Sequence, residues 1–262
     1  MTAEFMASES ITPESAAVAF GQLKAFTDLI GPVYGTEDWP LFLYALVKMQ
    51  APLNVVELGT GLGATALWVA QAMKEIGAGK IWTIDNGQDW PEILGHSPEL
   101  FTAEQRALDF AGFMADLIAQ FGLEKHLEFI DRAMPPYPAM GQQLDLLFSD
   151  FRHGPNDILA ILGHFLPQMA PSSSVFIDSA STSFPSYALL ELLVAQLNAG
   201  KVPLMLLSVT PAEQQEALRQ QVRSSRYTLM HMVERKARVQ NSTAWLKIEP
   251  IDLRPYPAAP FH

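Results

Sequence analysis

"VVELGTGLGATALWVAQAM" occupies residues 55–73 and reads as three pieces: an apolar run, a loop holding Gly59, Gly61 and Gly63, and a helix that starts near Ala64. Glycines in a strand-to-helix turn let the chain bend sharply and bring a ligand against backbone N–H groups at the helix N-terminus. Their spacing discriminates between ligands. A dinucleotide loop uses G-x-G-x-x-G to seat a pyrophosphate on the helix dipole, whereas here the glycines run G-x-G-x-G and follow an acid, Glu57. An acid there suits a ligand with positive charge near the loop and disfavours a pyrophosphate.

The strand-and-helix grammar continues downstream. "NVVEL" (54–58), "KIWTID" (80–85), "LEFID" (127–131), "LDLLFSD" (144–150) and "SVFID" (174–178) are short apolar runs tending to end in an acid, the pattern of parallel strands buried on both faces. Helical patterns separate them at 64–76, at 103–121 behind the capping box Thr102-Ala-Glu-Gln105, at roughly 156–166, and at 186–198 closed by Gly200. This alternation predicts a doubly wound α/β sheet. A polar helix opened by a second capping box, Thr210-Pro-Ala-Glu213, precedes "YTLMHMVER" and "TAWLKIEP", which predict an antiparallel pair closing the sheet. Upstream, Thr12-Pro13 opens a helix that Gly31-Pro32 should end, and "WPLFLYALVKM" gives a second. The expected organisation is a helical extension or lid over 1–50, a ligand-binding domain over 51–250 and a Pro-rich tail over 251–262.

Composition narrows the function classes. With 262 residues, 49% of them hydrophobic, the chain can bury a sizeable core. Its net charge of −11 and scattered Lys and Arg argue against a nucleic-acid partner. The absence of Cys removes disulfides, thiolate zinc sites and a Cys nucleophile. "MTAEFMASES" carries acids where a signal peptide is basic, and no apolar run approaches the roughly 18 residues of a membrane span. The expectation is a cytoplasmic protein with a small-molecule partner and neither a membrane nor a nucleic-acid partner, which leaves room for a homodimer. The Ser-rich runs lack the G-x-S-x-G elbow of a hydrolase.

A second acid sharpens the ligand. Asp85 closes its strand 22 residues after Gly63 (85 − 63), where nucleotide-binding sheets set a carboxylate against ribose hydroxyls. Together, the E-x-G-x-G-x-G run at 57–63 and Asp85 resemble the first motifs of class I S-adenosylmethionine-dependent methyltransferases. That resemblance implies a Rossmann-like, mostly parallel seven-stranded sheet with an antiparallel final strand pair, and S-adenosyl-L-methionine as cofactor. It also implies a cofactor site formed by Glu57, Gly59, Thr60, Gly61, Gly63 and Thr65, by Asp85 with Asn86, by Arg132 and Ala133 after the third strand, and by Asp150.

The words "LDLLFSDFRH" and "SVFIDSAS", whose acids Asp150 and Asp178 lie 28 residues apart (178 − 150), resemble those of catechol-type O-methyltransferases, and the likeness runs over roughly residues 50–195. It implies a divalent cation such as Mg²⁺ on Asp150, Asp178 and Ser179, and a general base at His153, where that family has Lys. Ser179 supplies a hydroxyl in place of an amide carbonyl, a weaker ligand for a hard cation. Imidazole, with an unperturbed pKa of about 6.5, accepts a proton at neutral pH. Asp150, Arg152 and His153 form the catalytic candidates. Arg152 is either a clamp for a substrate anion or a surface charge, and His153 is either the base or a cap for the helix near Asn156. The segment 86–101 is either a flap over the site or a surface insertion packed by Trp90 and Leu94. The expected function is methyl transfer to an O- or N-nucleophile of a small molecule, such as a natural-product or secondary-metabolite intermediate. A peptide or protein acceptor and a non-catalytic cofactor-binding module are the alternatives.

Overall fold

The computed structural model describes residues 12–34, 38–233 and 242–251. The chain clusters into two compact units, Met1–Ala139 with Leu146–Phe151, and Met140–Asp145 with Arg152–His262.

The first unit contains α1 (Pro13–Tyr34), α2 (Asp38–Gln50), β1 (Asn54–Leu58), α3 (Ala64–Ile76), β2 (Lys80–Asp85), α4 (Trp90–His96), α5 (Ala103–Arg106), α6 (Phe110–Gln120), β3 (Leu127–Asp131) and most of β4 (Leu144–Ser149). The second contains α7 (Pro155–Phe165), β5 (Met169–Asp178), α8 (Phe184–Asn198), α9 (Leu204–Val209), α10 (Gln215–Ser224), β6 (Ser225–Val233) and β7 (Ser242–Pro250). The seven-stranded mixed sheet reads β3-β2-β1-β4 across the first unit and β5-β7-β6 across the second. β1 pairs in parallel with β2 and β4, and β2 with β3. β7 runs antiparallel to both β5 and β6, the closing pair expected from the sequence.

Burial explains why these runs are strands. Val55, Val56, Leu146 and Leu147 are essentially inaccessible, so their β-branched and leucine side chains fill the space between sheet and helices. Helix α3 is buried continuously from Ala66 to Met73. Its Trp68 donates Nε1–H to Thr27 Oγ1 at 2.8 Å and meets the edges of Phe20 and Tyr44, fastening α1 and α2 to α3. Tyr44 donates to Glu75 at 2.6 Å and Lys48 to the same oxygen at 2.9 Å. Burial raises the Glu75 pKa, but the hydrogen bonds from Tyr44, Gln71 and Lys48 outweigh it and hold the group below its ordinary value.

Three local expectations are corrected. Thr12 caps α1 as expected, accepting from Ser15 N–H at 3.2 Å, but the helix continues through Gly31-Pro32 to Tyr34. The missing proline N–H falls in the last turn, so only one hydrogen bond near a fraying end is lost. The capping box at Thr102 is present, yet the run 103–121 is two helices, because the Asp109 side chain accepts from Gly112 N–H and starts a new one. The second box does not form. Thr210 Oγ1 donates back to Leu206 O at 2.9 Å, at the end of α9, and α10 begins only at Gln215.

Candidate functional site

The loop between β1 and α3 owes its shape to its glycines. Gly59, Gly61 and Gly63 have φ of 87°, 53° and 81°, all left-handed. A Cβ on Gly59 would lie 2.5 Å from the Asp150 carbonyl oxygen, so the loop passes the end of β4 only without a side chain. Gly63 is the N-cap of α3 and provides no side-chain acceptor. The first-turn N–H groups of α3, which have no intrahelical partner, are donors of the kind that can meet an anion.

The end of β2 braces this loop. Asp85 Oδ2 accepts from Thr60 N–H and Oδ1 from Gly87 N–H, each at 2.9 Å. Arg132 N–H donates to the Asp85 carbonyl at 2.9 Å and Asp150 N–H to the Leu58 carbonyl at 2.9 Å. Each carboxylate oxygen keeps a second lone pair, so Asp85 can hold the loop and also accept from vicinal hydroxyls. Thr65 is the second residue of α3, Asn86 accepts from Gln88 N–H at 3.3 Å, and Arg132, Ala133 and Asp150 are exposed. The first unit thus gathers all the cofactor candidates at the carboxyl ends of β1, β2, β3 and β4.

Glu57 departs from the expected picture. It is 1% exposed and does not face the loop directly; its Oε2 bonds the Thr83 hydroxyl at 2.5 Å, which meets the Thr60 hydroxyl at 2.7 Å. Burial pushes its pKa well above the ordinary carboxylate range; the Thr83 hydrogen bond opposes this, and the charges of Asp150 and Asp85 add to it. Glu57 orders the loop through Thr83, a residue that sequence reading missed. The only signal would have been the β1–β2 register, which sets Glu57 opposite Thr83.

The second unit holds the other candidates. His153 is half-buried, and its carbonyl accepts from Ser186 Oγ of α8 at 2.5 Å. The N-cap of α7 is Gly154, without a side-chain cap bond, so His153 does not cap that helix. Arg152 is exposed. Asp178 ends β5 at 8% exposure, receiving Ser179 Oγ–H on Oδ2 at 2.6 Å and Thr243 Oγ1–H on Oδ1 at 3.5 Å. Ser179 is left-handed at φ 57° and donates its N–H to Ser242 O at 2.6 Å. A hard divalent cation wants several carboxylate or carbonyl oxygens. Each oxygen of Asp178 accepts one hydroxyl and keeps a second lone pair, while Ser179 turns its proton toward that acid. Among the described residues no group of three or more His, Asp or Glu side chains gathers around a common point. A hydroxyl turned toward Asp178 makes Ser179 a weak ligand for a hard cation.

In the segment 86–101, Trp90 is buried and stacks on Phe113 of α6 with centroids 4.5 Å apart, and its Nε1–H donates to Leu108 O at 3.1 Å. That packing favours the insertion reading over a mobile flap. His96 bonds Glu92 O through Nδ1 at 2.9 Å and is exposed. No helix among the described residues is long and apolar enough to cross a membrane.

Comparison with known proteins agrees with this geometry. A family model described as "Methyltransferase domain" matches residues 56–180. The fold is that of solved structures of low identity. A Klebsiella pneumoniae protein assigned as an O-methyltransferase is 14% identical, over 88% of this chain and 90% of that one, with a TM-score of 0.50. Cofactor-bound Rv0187 from MTB is 15% identical over 92% and 94%, also at 0.50. The O-methyltransferase TomG from Streptomyces achromogenes, solved in complex with SAM, is 17% identical over 92% of each chain at 0.48. No curated protein sequence matches the chain.

Proposed function

We propose that this chain, which matches a methyltransferase-domain model over residues 56–180, is a methyltransferase that takes its methyl group from S-adenosyl-L-methionine and delivers it to an oxygen or nitrogen of a small molecule. The glycine loop carries the reading: three left-handed glycines, the α3 terminus without a side-chain cap, and Asp85 braced beside them. When bound, the cofactor supplies a methyl group on a cationic sulfur.

The residues suit such a guest in turn. The α3 N–H groups would bind the carboxylate of its amino-acid end. Asp85, with two lone pairs left, would accept from the ribose hydroxyls, and the Arg132–Ala133 segment lies where the adenine belongs in this reading. Asp85 and Asp150 give the loop end negative charge that favours a cation and opposes a pyrophosphate. His153 takes the acceptor's proton as general base, and Arg152 holds an anionic group of the acceptor. Because methyl transfer is an in-line displacement, positioning supplies most of the rate and the base removes one proton. Residues 51–250 form the working domain, 1–50 its helical lid and 251–262 a tail; the acceptor is a metabolite-sized molecule in the cytoplasm.

Calorimetric titration tests the proposal directly. S-adenosylmethionine should bind and NAD should not; binding of NAD alone would overturn it. Release of S-adenosylhomocysteine with a small-molecule acceptor separates an enzyme from a binding module.

A further inference from the structure

The first unit holds a cleft that the cofactor loop leaves unused. It measures about 580 Å³, inside the range of roughly 300–1,000 Å³ usual for small-molecule sites. Its walls come from three stretches: Phe26 and Leu29 of α1, Phe101 and Leu108 from the segment around α5, and Phe113 and Leu117 of α6. Phe101 and Phe113 meet edge to face with ring centroids 5.5 Å apart. Leu29 and Leu108 remain 50% and 36% exposed, so the cleft presents apolar surface to water. None of the cofactor candidates lines it.

The cleft carries charge of one sign. Glu104 and Asp116 line it, and among the described residues no Lys, Arg or His does. Arg106, on the same short helix as Glu104, is exposed and lies outside the lining, and Lys24 of α1 is paired with Asp28 at 2.8 Å. Asp116 is held in place: its Oδ2 accepts from Gln105 Nε2 at 3.0 Å, and Gln105 Oε1 in turn accepts from Thr102 N–H at 3.2 Å. Oδ1 stays available as an acceptor. Hydrogen bonds from its own backbone and from Thr102, with the Arg106 charge behind them, hold the Glu104 carboxyl below its ordinary value, so it is ionised at neutral pH. An ammonium brings three N–H donors and a charge that both acids attract. An anion would be repelled, and a neutral guest would gain from the walls alone.

We propose that this cleft binds an amphipathic organic cation, an ammonium group carried on an apolar ring or chain. The apolar body lies between α1 and α6 against Leu29 and Leu108, and the ammonium sits by Glu104 and Asp116. Burial of the body supplies affinity, and the two acids supply selection by charge. The chain then has a second small-molecule site inside its first unit, one that stands whether or not the glycine loop takes S-adenosylmethionine.

Dansylcadaverine, a naphthalene dye with an ammonium tail, tests the site on the full chain, because its fluorescence rises when the ring leaves water. A dansyl dye of equal length ending in a carboxylate is the comparison. At neutral pH and low salt the ammonium dye should bind about tenfold more tightly than the carboxylate dye, and added salt should narrow the gap. Glu104→Gln and Asp116→Asn should each weaken the ammonium dye by about two- to fivefold, and together by about tenfold. Leu108→Arg, which sets a cation in the cleft, should weaken it by about tenfold or more. Circular-dichroism melts show that each variant is folded, and calorimetry with S-adenosylmethionine reads the glycine loop separately. Equal affinity for the two dyes, or unchanged binding in Leu108→Arg and in the double variant, overturns the proposal. So does a chain that takes up neither dye but forms a dimer that Leu108→Arg dissociates, which would assign the cleft to a second copy. Binding of the ammonium dye by a chain that does not bind S-adenosylmethionine would support the cleft and count against the methyltransferase reading alone.

Discussion

The two units bring their polar groups together in different ways. In the first, the groups proposed to bind the cofactor are mostly backbone: left-handed glycines, an N-terminal turn and N–H groups that a single carboxylate, Asp85, keeps in place. In the second, polar side chains from far apart in the chain come together, with His231 meeting Ser181 and Glu191 across separations of 50 and 40 residues. A backbone site is sensitive to added atoms and a side-chain site to removed ones. The two halves should therefore fail to opposite kinds of substitution.

The largest effect is expected from adding one methyl group. In Gly59→Ala the new Cβ meets the Asp150 carbonyl at 2.5 Å in a backbone already at φ 87°. Left-handed strain of about 1–2 kcal/mol and overpacking of about 1–3 kcal/mol together predict a loss of cofactor affinity of about 10²–10³-fold. Calorimetry measures it, and a circular-dichroism melt separates a displaced loop from an unfolded chain. An unchanged affinity would mean that the loop does not depend on its close approach to β4.

The same contrast explains what the sequence disclosed. Glycine spacing, strand-ending acids and the alternation of apolar runs with helices are local signals, so the first five strands and the glycine loop between β1 and α3 are legible in the order of residues alone. Side-chain partners are set by sheet register and topology. Nothing local announces that Thr83 stands beside Glu57, or that His231, which lacks a metal-spaced partner in its own segment, finds one on α8 and another after β5. Competing caps were also invisible: the run 103–121 looks continuous until the Asp109 side chain captures Gly112 N–H. Ser179 was the exception. A hydroxyl where a cation would want a carbonyl is a chemical signal carried by one residue, and in the fold that hydroxyl turns to Asp178.

Removing atoms should hurt the second unit at a smaller scale. His153→Ala is expected to lower kcat by about 10²-fold while leaving cofactor affinity nearly unchanged, the signature of a lost general base. Its carbonyl still accepts from Ser186, so the backbone anchor survives the substitution. Steady-state kinetics together with calorimetry decide the matter. A fall in affinity with kcat preserved would move His153 from proton transfer to binding, and unaltered turnover would refute its role as the base.

The smallest effect concerns the buried acid beneath the backbone site. An unfolded Glu titrates near pH 4.3, and in the fold burial first, then the neighbouring Asp150 and Asp85, raise Glu57 well above that, against the opposing Thr83 hydrogen bond. Between the two values the folded chain holds a proton that the unfolded chain has lost. The contribution of Glu57 to stability is therefore complete below about pH 4.3 and declines as pH rises toward the folded value, at up to about 1.4 kcal/mol per pH unit. Glu57→Gln keeps an oxygen to meet the Thr83 hydroxyl and cannot titrate. Wild type and variant should melt at similar temperatures near pH 4.5, and the wild type should fall behind as pH rises, by about 2–4 °C for each kcal/mol. Other groups titrate in both proteins and cancel in the difference. If the difference stays flat with pH, Glu57 has the same proton affinity folded and unfolded, and the loop would then rest on a charge and not on a neutral hydrogen-bonded pair.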